Sequence, residues 1–163
     1  MKNFNLRIIL FHFFGILFII YGIERFFYAV QVEEILYLSK DINDVEWTKR
    51  TKIFYDLVWS KIYLDFITAA LGIVFIAYMN WKNKNHYINT VVVFLLLLVS
   101  LFSGIILKNT ISKYFIYFEK LYGKNYGYGY FACGIVLSLV GIILIHKSIR
   151  IQKSTAHNSG YQL

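Results

Sequence analysis

The chain contains 163 residues, of which 58% are hydrophobic and 16% charged, and its mean hydropathy is +0.56. A soluble domain of this length could not bury so much apolar sequence in one core, so the composition favours an integral protein of the lipid bilayer. The formal net charge of +8 would suit a nucleic-acid ligand. No basic stripe or recognition motif accompanies that charge, so we predict no nucleic-acid partner.

Four apolar segments follow one another along the chain: residues 8–30, 62–81, 85–107 and 125–146. A helix needs about 20 mostly apolar residues to cross the hydrocarbon layer, so each segment predicts a transmembrane helix. The first is longer than the apolar region of a signal peptide, and no A-x-A-like site follows it, which favours an uncleaved span. We predict an all-α, four-helix membrane bundle formed by residues 1–153, with a polar C-terminal tail at 154–163.

The distribution of acidic residues predicts the orientation of these spans. Residues 1–7, 82–86 and 147–163 contain basic residues and no Asp or Glu, whereas the other two connections contain most of the nine acids. Cytoplasmic segments of membrane proteins carry the denser positive charge. We therefore expect both termini in the cytoplasm, and the Lys-, Asn-, Ile- and Tyr-rich composition indicates a bacterial inner membrane.

The first extracytoplasmic connection has the composition of a helix. Neither glycine nor proline occurs between Gly22 and Gly72, so nothing in this stretch forces a break. We predict that the first helix continues toward residue 38, that residues 39–43 turn, and that a second helix over 44–61 returns to the membrane. The two would form a helical hairpin between the first and second spans.

The second extracytoplasmic connection, residues 108–127, is rich in aromatic side chains. An aromatic ring with a polar tip favours the headgroup level of a bilayer, so an interfacial helix followed by a Gly/Tyr turn is one interpretation. A surface that binds a partner is the other. The residues concerned are Tyr114, Phe115, Phe118, Tyr122, Tyr126, Tyr128 and Tyr130.

Small residues recur at helical spacing in every predicted span. They are Gly15 and Gly22 in the first, Ala69 and Gly72 in the second, Ser100, Ser103 and Gly104 in the third, and Gly134, Ser138 and Gly141 in the fourth. Helices in lipid associate by close packing at such positions. The small residues predict either packing within the bundle or association with another membrane protein through one of these faces.

Three ionisable residues lie within or at the ends of the spans: Glu24, Arg25 and Asp65. At about 100° per residue, Arg25 shares the helix face of Gly22 while Glu24 points nearly opposite. We therefore predict an ion pair between Arg25 and Asp65 near the outer boundary of the bundle. A proton, ion or ligand site is the alternative, because charged groups in membrane segments often serve function.

No pattern in the chain indicates catalysis. His12, His86 and His146 lack the spacing of metal ligands, so we predict no metal, haem or other cofactor. Cys133 is the only cysteine, which excludes an intramolecular disulfide. No nucleophile–base set, phosphate loop or metalloprotease motif is present, and the expected protein is not an enzyme.

These features together favour a non-enzymatic membrane protein that acts through helix association. It would serve as an accessory or scaffold subunit, or as an immunity-type partner, and would assemble with itself or with another membrane subunit. The alternative is a homo-oligomeric ion channel or membrane-perturbing effector. The polar residues that could line a shared pore are Asp65, Asn89, Thr90, Ser100 and Ser103.

Overall fold

The computed structural model describes residues 5–38, 46–83, 85–102 and 125–159, with side chains described up to Ile151. The described part is helical, which confirms the predicted all-α class. Its helices are α1 (Leu6–Val30), α2 (Val32–Leu38), α3 (Trp47–Lys82), α4 (Ile88–Phe102) and α5 (Tyr126–Ser159). Three of them, α1, α3 and α5 as far as Ile151, are long and apolar enough to cross a membrane, whereas the described part of the third predicted span is the shorter α4.

The first helix begins at a side-chain cap. The Oδ1 atom of Asn5 accepts hydrogen bonds from the backbone N–H groups of Arg7 and Ile8, which have no partner within the helix. Gln31, with φ −97° and ψ 22°, interrupts the helix before α2. The predicted continuation toward residue 38 is therefore helical, but it is a separate short helix.

Helix α3 continues from the predicted hairpin into the predicted second span without a break. Its 36 residues give a length of about 54 Å, well beyond the roughly 30 Å of a hydrocarbon layer. Next to its N-terminal end, the Arg50 guanidinium donates to the carbonyl of Leu38 and ties α3 to α2. The predicted turn at residues 39–43 lies outside the described residues.

Helix α1 lies at the centre of the described helices. It packs against α3, α4 and α5, and α4 also packs against α3, whereas α5 packs mainly against α1. The buried core reflects this arrangement, because five of its members come from α1 and the rest from α3 and α4: Ile9, Phe13, Ile16, Leu17, Ile20, Ala69, Ile76, Val93 and Leu97. Among the described residues, the helices thus surround α1 in an open arrangement, and no closed four-helix ring is formed.

The predicted Gly/Tyr turn is wrong for Tyr126–Tyr130, which form the start of α5, while residues 123–124 lie outside the described residues. A Cβ atom at Gly127 would lie at an ordinary contact distance of 3.6 Å from the carbonyl oxygen of Ala29 in α1. At its other end, α5 continues as a helix to Ser159, beyond the predicted start of the polar tail at residue 154.

Candidate functional site

The glycines of α1 and α5 bring the backbones of these two helices into contact. A Cβ atom built on Gly141 would lie 2.6 Å from the carbonyl oxygen of Gly15, and one on Gly22 would lie 2.9 Å from that of Gly134. Ser138 also lies in this crossing, since its Oγ atom would contact a Cβ atom placed on Gly22. Five of the predicted small residues therefore lie between α1 and α5 of the same chain.

Gly72 of α3 meets a side chain rather than backbone. Gly72 lies under Ile16 of α1, whose side-chain carbons are 3.0 Å from the position of a Cβ atom. Ala69 and Ser100 are buried. Ser103 and Gly104 lie outside the described residues. These contacts are side-chain packing, which is looser than the backbone crossing of α1 and α5.

A cluster of charged side chains joins α1 to α3 near the C-terminal end of α1. The Lys61 Nζ atom lies 2.5 Å from Oδ2 of Asp65 and 3.5 Å from Oε1 of Glu24. The hydroxyl of Tyr28 donates to the same Glu24 oxygen at 2.8 Å. Because an unpaired buried charge is costly in a low-dielectric environment, the ammonium between two carboxylates stabilises both of them.

Glu24 is only 3% exposed, and it contacts Lys61 of α3. Because α1 is central, Gly22 faces α5 while Glu24, nearly opposite, faces α3. Lys61 was missed as a partner of Asp65, although its position four residues earlier is a recognised signal for an ion pair on a helix.

Arg25 lies on the side of this cluster toward α5. Its guanidinium carbon is 5.7 Å from the ring centroid of Tyr28 and 5.8 Å from that of Tyr130, distances at which a cation is attracted to an aromatic face. The two rings are themselves 5.7 Å apart. Glu24, Asp65, Lys61 and Arg25 together contribute two formal negative and two formal positive charges, so the cluster is formally neutral.

Only part of the predicted aromatic surface can be located. Tyr130 packs against Tyr28, whereas Tyr126 and Tyr128 are exposed at the start of α5. Tyr114, Phe115, Phe118 and Tyr122 lie outside the described residues. Of the three tyrosines that can be located, one therefore contacts α1 and two are exposed.

The polar residues considered as pore-lining candidates are mostly buried within the chain. Asp65, Asn89 and Ser100 are buried in the chain, and half-buried Thr90 accepts a hydrogen bond from the Asn80 amide at 2.8 Å. The amide group of Asn89 has no hydrogen-bond partner among the described residues. Ser103 lies outside them. The four that can be located do not form an exposed polar stripe on one helix.

An apolar groove of about 420 Å³ runs along α1, between α3 and α5. It exists because α3 and α5 lie on either side of α1 and scarcely touch each other. Among the described lining residues, the only polar side chain belongs to Thr68, whose hydroxyl donates to the carbonyl of Leu64 on its own helix. The groove is lined by Ile16, Ile19, Ile23, Thr68, Leu71, Gly72, Phe75, Ile142 and Ile145.

The described residues contain no group of three or more His, Cys, Asp or Glu side chains that could hold a metal ion. Comparisons with protein-family models, with curated proteins and with solved structures find no match to this chain.

Proposed function

We propose that this protein is a multi-pass protein of the bacterial inner membrane that acts by binding a transmembrane helix of another membrane subunit. It would be an accessory or scaffold subunit, or an immunity-type partner, with both termini in the cytoplasm. Three helices long and apolar enough to cross a membrane support the location. The observation that carries the proposed activity is the apolar groove along α1.

The partner helix would bind in this groove because the small residues of α1 and α5 already contact each other within the chain. Gly15, Gly22, Gly134 and Gly141 face one another, so a partner cannot approach through them. The groove leaves Ile19 and Ile23 of α1 accessible between the flanking helices. A ridge of side chains on another helix fits such a groove, as in other helix packings.

The chemistry of the groove limits what can occupy it. Because the Thr68 hydroxyl donates its hydrogen within α3, the described lining of the groove offers a ligand no free side-chain donor, and its only side-chain acceptor is the Thr68 oxygen. A polar group buried there would cost free energy, so the occupant must be apolar along this length. A helix is favoured over a lipid chain because packing against fixed side chains is the main attraction between helices in a bilayer.

Two neighbouring isoleucines of α5 provide a matched test. Ile142 lines the groove and Ile143 does not, although the two are 55% and 52% exposed. A photoreactive phenylalanine analogue at 142 should form an adduct of one defined mass with a partner subunit in native membranes, and the same residue at 143 should label lipid. Ile142→Trp should also reduce co-purification of that subunit, while Ile143→Trp should not.

Each outcome separates the alternatives. An adduct of twice the chain mass at position 142 would favour a homo-oligomer, and with it the channel or membrane-perturbing effector. Lipid adducts at both positions would contradict the proposed activity. Equal loss of the subunit in both tryptophan variants would show that the groove does not hold it.

The orientation has its own test. Lys49 and Lys147 are both exposed, on the N-terminal part of α3 and the C-terminal part of α5. In a Cys133→Ser background, Lys49→Cys should react with a membrane-impermeant thiol reagent in intact spheroplasts, and Lys147→Cys only after lysis. The reverse pattern would overturn the proposed topology.

A further inference from the structure

A second cavity, separate from the apolar groove, opens where α3 ends and α4 begins. It is a cleft of about 990 Å³ whose walls include Trp81, Lys82, His86 and Tyr87. Trp81 and Tyr87 are 77% and 72% exposed. In the proposed topology this end of the helices lies at the cytoplasmic membrane surface, the level at which such aromatic side chains are enriched.

The floor of the cleft is a hydrogen-bonded group of polar side chains. Asn80, which is 2% exposed, donates to the Thr90 hydroxyl at 2.8 Å and accepts from the Asn85 amide at 3.3 Å. Because Thr90 accepts from Asn80, its own hydroxyl hydrogen remains able to donate to a ligand. The residues at the end of α3 and the start of α4 are thus held in place before any ligand binds.

The described lining of the cleft includes one cationic side chain and several hydrogen-bond donors, and it includes no acidic side chain. Lys82 contributes an ammonium group, and the Nδ1 atom of His86 accepts from the backbone N–H of Ile88, which leaves the proton of the neutral ring on Nε2 as a donor. The chain has no acidic residue between Asp65 and Glu119. Asp65 precedes Lys82 by 17 residues on the same helix, a separation of about 25 Å.

The cleft changes from polar to apolar along the helices. Ala77 lies one turn before Trp81, and Val91 lies one turn after Tyr87. Both therefore line the part of the cleft that is farther from the connection between α3 and α4. A free anion would use only the polar end of such a cleft. A lipid with a phosphate head and hydrocarbon chains would use both ends.

We propose that this cleft binds an anionic phospholipid of the cytoplasmic leaflet, with the headgroup phosphate at Lys82, His86 and Thr90 and an acyl chain along Ala77 and Val91. Basic pockets between transmembrane helices on the cytoplasmic side are suited to anionic headgroups. The site uses the topology proposed above and does not depend on a partner in the apolar groove. Loss of lipid binding in the cleft can therefore be measured separately from loss of partner binding in the apolar groove.

The test is lipid binding by the purified full-length chain in a neutral detergent, measured by native mass spectrometry and by the rise in melting temperature. Phosphatidylglycerol should bind and raise the melting temperature, while phosphatidylcholine with the same chains should not. Lys82→Gln should weaken phosphatidylglycerol binding about fivefold, the effect of one basic residue at an anionic surface. Lys147→Gln, the same change at an exposed residue outside the cleft, should leave binding unaltered.

Ala77→Phe separates the two parts of the cleft. The larger side chain should obstruct the acyl chain and weaken phosphatidylglycerol binding without removing a charge. Inorganic phosphate, tested alone, should not reproduce the rise in melting temperature. The proposal is overturned if both lipids bind equally, if Lys147→Gln loses as much affinity as Lys82→Gln, or if phosphate alone has the same effect as the lipid.

Discussion

Helices α1 and α3 are both long and apolar enough to cross a membrane, but they differ in how much of their surface the rest of the chain covers. Half of the most apolar stretch of α1 is buried, against 17% of that of α3. In water such apolar surface would drive both helices into a core. In lipid it does not, because hydrocarbon solvates an apolar side chain as well as another side chain does.

The difference between the two helices lies instead in what approaches them. Gly15 and Gly22 let the backbone of α5 touch α1 on one face, while Ile16 fills the space over Gly72 of α3 on another. Glu24 forms an ion pair with Lys61 of α3. Helix α3 exposes large apolar residues along much of its length, including Ile67, Leu71 and Val74. Close packing and one buried ion cluster, rather than apolarity, make α1 the central helix.

The largest loss of stability is expected when the ion cluster that joins α1 to α3 is broken. Lys61→Met leaves the carboxylates of Glu24 and Asp65 buried without their shared ammonium, and should lower the free energy of unfolding by about 3–5 kcal/mol. Lys52→Met, the same change at an exposed residue of α3, should have little effect. Reversible unfolding in mixed micelles measures both.

A rescue variant sharpens this result. Adding Glu24→Gln and Asp65→Asn to Lys61→Met removes the unpaired charges and should restore much of the lost stability. If the single Lys61→Met variant is as stable as Lys52→Met, the cluster does not join α1 to α3.

The next effect concerns the crossing of α1 and α5. Gly141→Ala places a methyl group 2.6 Å from the carbonyl oxygen of Gly15, so the helices must separate, at a cost of about 2 kcal/mol. Gly127→Ala in the same helix meets α1 at an ordinary 3.6 Å and should be neutral or slightly stabilising. Thermal unfolding in mild detergent compares them. Equal stability of the two variants would mean that α5 does not pack closely on α1.

A smaller effect tests burial directly. Ile16→Ala opens a cavity beside Gly72, whereas Ile67, which is 57% exposed on α3, faces outward. Because the transfer of apolar surface contributes little in lipid, only the packing loss remains, about 1–2 kcal/mol for Ile16→Ala. Ile67→Ala should stay within about 0.5 kcal/mol of the parent. Similar losses of stability in the two variants would show that α1 is no more closely packed than the outer face of α3.

The smallest loss of stability is expected at the contact between α2 and α3, outside the apolar stretches. Arg50→Met removes the hydrogen bond to the Leu38 carbonyl, which joins α2 to α3, and should cost about 1 kcal/mol. Hydrogen exchange should accelerate for the amides of α2 and remain unchanged for those of α1. Lys52→Met again serves as the control. Faster exchange throughout α1 would show that the hairpin also stabilises the central helix.

Several features could be predicted from the residues because they depend on neighbours along the chain. The helical class is one, and the uninterrupted helix from the hairpin into the second span is another. The Gly/Tyr segment at the start of α5 was mistaken for a turn because glycine breaks helices in water. These residues are nevertheless helical, and a Cβ atom at Gly127 would meet α1 at an ordinary 3.6 Å.

The contacts of the candidate site join residues that are distant in the chain, so local patterns could not predict them. Periodicity placed Glu24 and Gly22 on opposite faces correctly, but it could not show that both faces are covered. The groove and the cleft each combine residues of more than one helix. No local pattern specifies which helices flank them.

The sequence by itself determined that the described chain is helical and where its long apolar helices lie. A helix satisfies its backbone hydrogen bonds within one segment, so a run of about 20 apolar residues is sufficient to specify it. Only the tertiary structure decided that α1 is central, that Glu24 and Asp65 share Lys61, and that an apolar groove stays open between α3 and α5. Apolar residues facing lipid and apolar residues facing another helix have the same hydropathy, so the choice between them rests on packing.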